Sequence, residues 1–136
     1  METYKHTVQY YETDKMGITH HSNYVRWMEE ARVDYLDKIG WNFAKLESMG
    51  IVSPVTGLSV SYKAPSTFSD VVTIETSISE FKGVKLKLRY IMKNDEGKTI
   101  CEANSEHVFM NLEGGFIRFK KEYPELYEAF TNLVEE

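Results

Sequence analysis

One cysteine, three prolines and eight glycines are all that the 136 residues contain of those types. A lone Cys101 cannot close an internal disulfide, and no multi-thiolate zinc site can be built from it. The chain therefore suits a reducing compartment, and the cytoplasm is expected. Scarce proline and glycine, with 13% aromatic residues, exclude a linker-like or low-complexity chain. No apolar run approaches the roughly 18 residues of a membrane span. The opening Met1-Glu2-Thr3-Tyr4-Lys5-His6 has no apolar stretch of the signal-peptide kind. Positive charge is short as well: 16 Lys and Arg face 21 Asp and Glu, for a net charge of -5. That excludes broad nucleic-acid binding, which needs a basic face, and leaves room for a small basic patch on one phosphorylated ligand.

What is present is enough for one domain, residues 1–136, with one hydrophobic core. Residues 4–11 alternate, with Tyr4, His6, Val8 and Tyr10 on one side, which predicts a strand. Residues 12–21 read as a loop punctuated by Asp14 and Gly17. Ser22 or Asn23 can cap a helix running to about Ile39. Its apolar stripe is Tyr24, Trp27, Met28, Ala31, Tyr35 and Ile39, and Gly40 stands just past its end. A shorter helix is predicted around Asn42–Met49. The period then changes to two: Leu58, Val60 and Tyr62; residues 71–81; Val84 to Lys93; and Thr99–Met110. Lys82-Gly83, Asn94–Gly97 and Asn111–Gly115 are the turns between later strands. Phe116–Phe119 reads as a last short strand and 122–134 as a C-terminal helix. Strands joined by short turns pair antiparallel. One long helix beside one antiparallel sheet is an α+β architecture.

The chemistry is concentrated in Tyr11-Glu12-Thr13-Asp14-Lys15-Met16-Gly17-Ile18-Thr19-His20-His21-Ser22-Asn23-Tyr24. The segment leaves a strand, crosses a glycine-bearing loop and enters a helix. A helix N-terminus presents unpaired N–H groups and partial positive charge, which suit a developing oxyanion. A carboxylate just upstream can fold back beside it as base or nucleophile. An aspartate ahead of a helix is also the ordinary pattern of a cap or turn residue, and the pattern alone does not separate the two.

The run Asp14-x-x-Gly17-x-x-His20-His21-x-x-Tyr24, followed by Trp27, Glu30, Ala31 and Arg32, resembles the 4-hydroxybenzoyl-CoA thioesterase family. It is particularly similar to that family's bacterial short acyl-CoA thioesterase branch. Tyr62-Lys63-Ala64-Pro65 and Asp70-Val71-Val72-Thr73-Ile74-Glu75-Thr76 are similar to its central strand pair, so the likeness covers nearly the whole chain. The resemblance implies a hotdog fold, an antiparallel sheet wrapped around a long central helix. It implies a homodimer joined at the sheet edges, often paired into a tetramer, with active sites at the dimer interface. It implies an acyl-CoA substrate and no metal or redox cofactor. Asp14 is then nucleophile or general base, and the backbone N–H of His21 polarises the thioester carbonyl. Gly17 and Tyr24 fall at substrate-binding positions. Lys82, Lys85 and Arg118 fall roughly where the family places cations for the CoA phosphates, although solvated surface charge explains each of them too. Thr19-His20-His21 replaces the bulky aromatics of benzoyl-specific members and departs from an aromatic substrate.

Other candidates have plainer readings. His20 and His21 are not by themselves a metal site. Glu29 and Glu30 are helix-surface residues, either of which would be the base in other hotdog branches. His6 and His107 lie on alternating strands as packed or paired histidines. Cys101 is a small buried residue, and Trp27 belongs to the core. Two rival functions share the scaffold. One is an acyl-carrier-protein thioesterase docking through Lys82, Lys85, Lys87 and Arg89; the other is an acyl-CoA-binding protein without turnover.

Overall fold

The structure, a computed structural model, describes residues 1–135. Five strands form one antiparallel sheet: β1 (Glu2–Thr7), β2 (Val55–Tyr62), β3 (Val71–Phe81), β4 (Lys85–Lys93) and β5 (Thr99–Val108). Their spatial order is β1-β3-β4-β5-β2. The helices are α1 (Ser22–Lys38), α2 (Phe43–Ser48), α3 (Phe119–Glu122) and α4 (Pro124–Asn132). None of them is long and apolar enough to cross a membrane.

Period-two alternation selects one face of the sheet for burial. Val72, Ile74 and Ile78 of β3, Leu86, Leu88, Tyr90 and Met92 of β4, and Cys101 and Ala103 of β5 are all buried. Against this face lies the stripe of α1, with Trp27, Met28, Ala31, Tyr35 and Leu36 at most 2% exposed. The opposite face carries a ladder of alternating charges: Lys87 lies between Glu80 and Glu106, Arg89 beside Glu102, and Lys93 beside Glu75. One face is therefore oily and one ionic.

The first strand ends earlier than its alternation predicts. At Val8 the backbone bonds Asp70 and Ser69, and Tyr10–Glu12 then closes a 3-10 turn. Tyr10 and Tyr11 consequently point outward. His21 occupies the N-cap position of α1 rather than Ser22 or Asn23, because both of those side chains are engaged elsewhere. Ser22 Oγ bonds His20 Nδ1, and Asn23 Nδ2 donates to the carbonyls of Glu12 and His20. The predicted strand Phe116–Phe119 is not formed. Only Phe116 bridges Met110, and the Arg118 N–H then donates to the Glu122 carboxylate as α3 begins. The predicted helix over 122–134 is split at Tyr123, since a residue before proline is driven out of helical geometry. The remaining elements match their predicted positions to within a few residues.

Leu88 lies at the middle of the central strand and is fully buried. Leu88→Ala is expected to cost about 2–5 kcal/mol, read from urea unfolding at fixed protein concentration. A loss well under about 1 kcal/mol would show that the core is not centred there.

Candidate active site

The segment between the 3-10 turn and α1 folds back on itself. Thr13 bridges Thr19, the Asp14 N–H donates to the Ile18 carbonyl at 2.9 Å, and the Gly17 N–H donates to the Asp14 carbonyl at 3.0 Å. Gly17 closes this turn at φ 79°, a left-handed geometry that glycine adopts without strain. A Cβ there would meet nothing within 4 Å, so the glycine serves the backbone and not a close approach. Asp14 Oδ1 accepts from the Met16 N–H at 2.8 Å. The turn role and a chemical role are thus compatible, because the carboxylate has a second oxygen. The loop is pinned to the β2–β3 connection: Thr19 N–H donates to the Ser66 carbonyl, and Ile18 bridges Thr67.

Where the loop enters α1, His20 and His21 stack with ring centroids 4.4 Å apart. The His21 carbonyl accepts from the Tyr62 hydroxyl and from the Tyr24 N–H. Among the described residues the His21 N–H has no acceptor. His21 lines a cleft of about 350 Å3 whose walls also include Ile18, Thr19, Tyr24, Tyr62 and Pro65. Tyr24 is 3% exposed, with its hydroxyl on Ser66 Oγ at 2.9 Å, and Ser66 Oγ is 2.7 Å from Thr19 Oγ1. Burial raises the Tyr24 pKa, so this hydroxyl stays protonated.

The loop thus carries Asp14, Gly17 and His21 together, with Tyr24 one turn into the helix. Asp14 and Gly17 stand at the loop's tip and do not line the cleft. No hydrogen bond joins Asp14 to His21 among the described residues. Lys82, Lys85 and Arg118 are elsewhere. Lys82 and Lys85 flank the β3–β4 turn, at the opposite end of the 11-residue β3 from Ser66, roughly 35 Å away at the ordinary strand rise. Lys82 pairs with Glu80 at 3.5 Å and Lys85 with Glu106 at 3.7 Å. Arg118 is exposed where α3 begins, at that same end. Among the described residues no three His, Cys, Asp or Glu side chains gather as metal ligands. Burial pushes the Cys101 thiol up to about 11, which leaves it inert.

Sequence reasoning assigned no role to the residues that hold this loop. Glu12 is 5% exposed. Its carboxylate accepts from the Gln9 N–H at 2.8 Å and from Trp27 Nε1 at 2.8 Å, and meets His6 Nε2 at 2.7 Å. Its carbonyl accepts from the His20 N–H and from Asn23 Nδ2. Glu30 accepts from the Tyr4 hydroxyl and lies 3.3 Å from His6, so this glutamate ties β1 to α1. Arg32 is also buried. It binds Glu29 at 2.9 Å and His107 Nδ1 at 3.0 Å. His107 is therefore a paired core histidine, as its alternating strand implies. The available signal for Glu12 is a carboxylate three residues after Gln9 at the end of a strand, the spacing that closes a turn.

Comparison with known proteins bears on this loop and helix. The thioesterase-like superfamily matches residues 8–131. YneP of Bacillus subtilis, named as a candidate acyl-CoA thioesterase, is 33% identical over 124 residues, covering 90% of each chain. The acyl-CoA thioester hydrolase YbgC of Escherichia coli is 29% identical over 96 residues, 71% of this chain and 72% of that one. A solved DHNA-CoA thioesterase from Staphylococcus aureus superposes with a TM-score of 0.90 at 31% identity, covering 96% of this chain and 88% of its own.

The buried ionisable groups set an acid limit. Burial first, and Arg32 second, depress the His107 pKa from 6.5 to about 3. The unfolded chain therefore takes up a proton near pH 6.5 that the folded chain refuses, and stability falls as pH drops from 6.5 toward 3. At Glu12, burial acts to raise the pKa. The Gln9 amide, His6 and Trp27 outweigh it and hold the pKa below 4.5. The stability from Glu12 is complete above 4.5 and is lost as pH falls through its folded value. Melting temperature followed downward from neutral pH is expected to decline from about pH 6.5 in the wild type. In His107→Gln the decline should begin only near the carboxylate range. A flat wild-type profile between these limits would contradict the burial of a neutral His107.

Proposed function

The chain belongs to the thioesterase-like superfamily, and on that premise we propose that it hydrolyses the thioester of an acyl-CoA to free acid and coenzyme A. Its α+β architecture is the hotdog fold, with α1 as the central helix under the curved sheet. The observation that carries the reading is the unpaired His21 amide at the start of α1, on the same folded-back loop as Asp14. A thioester carbonyl set against that amide gains a hydrogen bond as its oxygen becomes anionic. Asp14 then acts in one of two ways. It attacks the carbonyl carbon, expels the CoA thiolate and leaves an anhydride for water to open; or it takes a proton from the water that attacks. Gly17 shapes the loop, and Tyr24 and Tyr62 wall the acyl side.

The same reading includes a homodimer, and its geometry supports assigning Lys82, Lys85 and Arg118 to CoA phosphates. β2 is an edge strand exposing Val55, Leu58 and Tyr62, each between 45% and 50% exposed. Two copies related by a two-fold axis across this edge must pair β2 antiparallel. The β3–β4 end of one copy then lies beside the Asp14–His21 end of the other. Cations about 35 Å from Ser66 in their own chain come near the partner's cleft, and a site would be complete only between subunits. An acyl-carrier-protein thioester is less well supported, because Lys87 and Arg89, the cations a docking face would add to Lys82 and Lys85, are each faced by a glutamate.

Thiol release from a panel of acyl-CoA esters tests the chemistry. Asp14→Asn should lower kcat at least about hundredfold on the best ester while thermal unfolding is retained. Activity within a few-fold of wild type would remove Asp14 from the reaction and make Glu29 or Glu30 the next base to test. Leu58→Glu should turn a sedimenting dimer into a monomer and lose turnover with it. An active wild-type monomer would end the shared-site proposal.

A further inference from the structure

Farther along the same side of α1 lies a second cleft, of about 270 Å3. Its walls include Val25, Met28, Val55 and Leu58, the exposed Arg26 and Glu29 of α1 border it, and the buried Tyr90, Ser105 and His107 also line it. Seven residues of helix separate His21 from Met28, which is about 10 Å along the axis. An acyl group leaving the His21 cleft in this direction meets mostly apolar wall, then three polar side chains buried to within 2% exposure.

These side chains form a directed relay. Arg32 Nη1 lies 3.0 Å from His107 Nδ1, and a guanidinium only donates. His107 Nδ1 must therefore accept, and the neutral ring carries its proton on Nε2. That proton goes to Ser105 Oγ at 2.7 Å, and Ser105 Oγ lies 2.8 Å from the Tyr90 hydroxyl. The relay from His107 to Tyr90 thus has three protons to donate and two internal bonds to hold them. One hydroxyl proton, on Ser105 or on Tyr90, is left over whichever way the last bond points. No acceptor takes it among the described residues, and both hydroxyl-bearing residues line the cleft. The low pKa of His107 agrees with the neutral tautomer.

We infer that this cleft receives the far part of the acyl group and selects acyl groups bearing an acceptor oxygen there, in preference to plain alkyl chains. The inference rests on the acyl-CoA reading above and adds the specificity-determining residues Tyr90 and Ser105, oriented by His107 and Arg32. An alkyl chain in the cleft strips water from the leftover donor and gives nothing in return. A carbonyl oxygen at the same place completes the relay. A site with a buried donor discriminates in this way more strongly than an apolar wall does.

The test compares decanoyl-CoA with decanoyl-CoA analogues in which one methylene, from mid-chain to tail, is replaced by a ketone. A ketone accepts and cannot donate. In the wild type the best-placed ketone should raise kcat/KM about tenfold over decanoyl-CoA. In Tyr90→Phe/Ser105→Ala that ratio should fall to near one. Val25→Phe, which fills the cleft from the helix wall and leaves the relay residues themselves unchanged, should abolish the ratio as well and serves if the double variant does not fold. Hydrolysis of decanoyl-CoA with no gain from any ketone position overturns the inference and leaves the thioesterase reading intact. A ratio that survives both variants also overturns it. If neither kind of ester is turned over, the acyl-CoA reading fails and the inference falls with it.

Discussion

Five hydrogen bonds converge on Glu12, three to its carboxylate and two to its carbonyl. They come from β1 through His6, from the 3-10 turn through Gln9, from the buried face of α1 through Trp27, and from the helix entrance through His20 and Asn23. A buried carboxylate left without partners would be costly, so the fold is committed to holding all of these elements around it. The consequence for chemistry is geometric. The loop bearing Asp14 is anchored at its base by Glu12 and at its far strand by Thr19 on Ser66. It can therefore present a carboxylate and a bare helix amide in a fixed relation, although its tip is an exposed glycine turn.

The sequence made legible whatever depends on period or on a single residue's backbone needs. The stripe of α1, the alternation of β3, β4 and β5, and the turns at Gly83 and Gly97 follow from hydrophobicity and from glycine's access to positive φ. It misled where a partner distant in the chain decides. Tyr10 continues the alternation of Tyr4, His6 and Val8, yet the backbone at Val8 is already claimed by the β2–β3 connection, and Tyr10 turns outward. Ser22 and Asn23 are both good caps by type, but each hydroxyl or amide is engaged with His20 or Glu12. At the C-terminus a local rule decides: Pro124 forbids Tyr123 from helical geometry, which splits the last helix. The folded-back loop from Asp14 through Gly17 into the helix at Tyr24 was legible as a candidate because it lies within eleven residues of chain. Glu12, Arg32 and Ser66 were not, because their meaning is a set of contacts up to 75 residues apart.

The two faces of the sheet divide the electrostatics. On the outer face Lys87, Arg89 and Lys93 are each met by a glutamate, and these exposed pairs contribute little individually while keeping that face wet. On the inner face the only cation brought deep among the described residues is Arg32, and it arrives with Glu29 as counter-ion and Phe43 beneath its guanidinium at 4.9 Å. Where alternation alone would place apolar side chains, β5 has Ser105 and His107. They are tolerated because α1 supplies Arg32 to orient them.

That arrangement explains why one chain leaves so much of α1 and β2 uncovered. The buried stripe of α1 faces the sheet, but Val25 and Val33 remain 36% and 45% exposed, and Leu58 is half exposed on the sheet edge. A small domain with one long helix and one sheet cannot cover the rest of its helix from within. Adding apolar side chains to close the gap would fill the cleft proposed for the acyl group. In the proposed dimer a second copy laid along the same edge would cover apolar surface at the rim and leave the groove between helix and strand open. On that proposal the exposed edge of β2 is a requirement of a site completed between two short chains, each of which carries Asp14 and His21 on one loop.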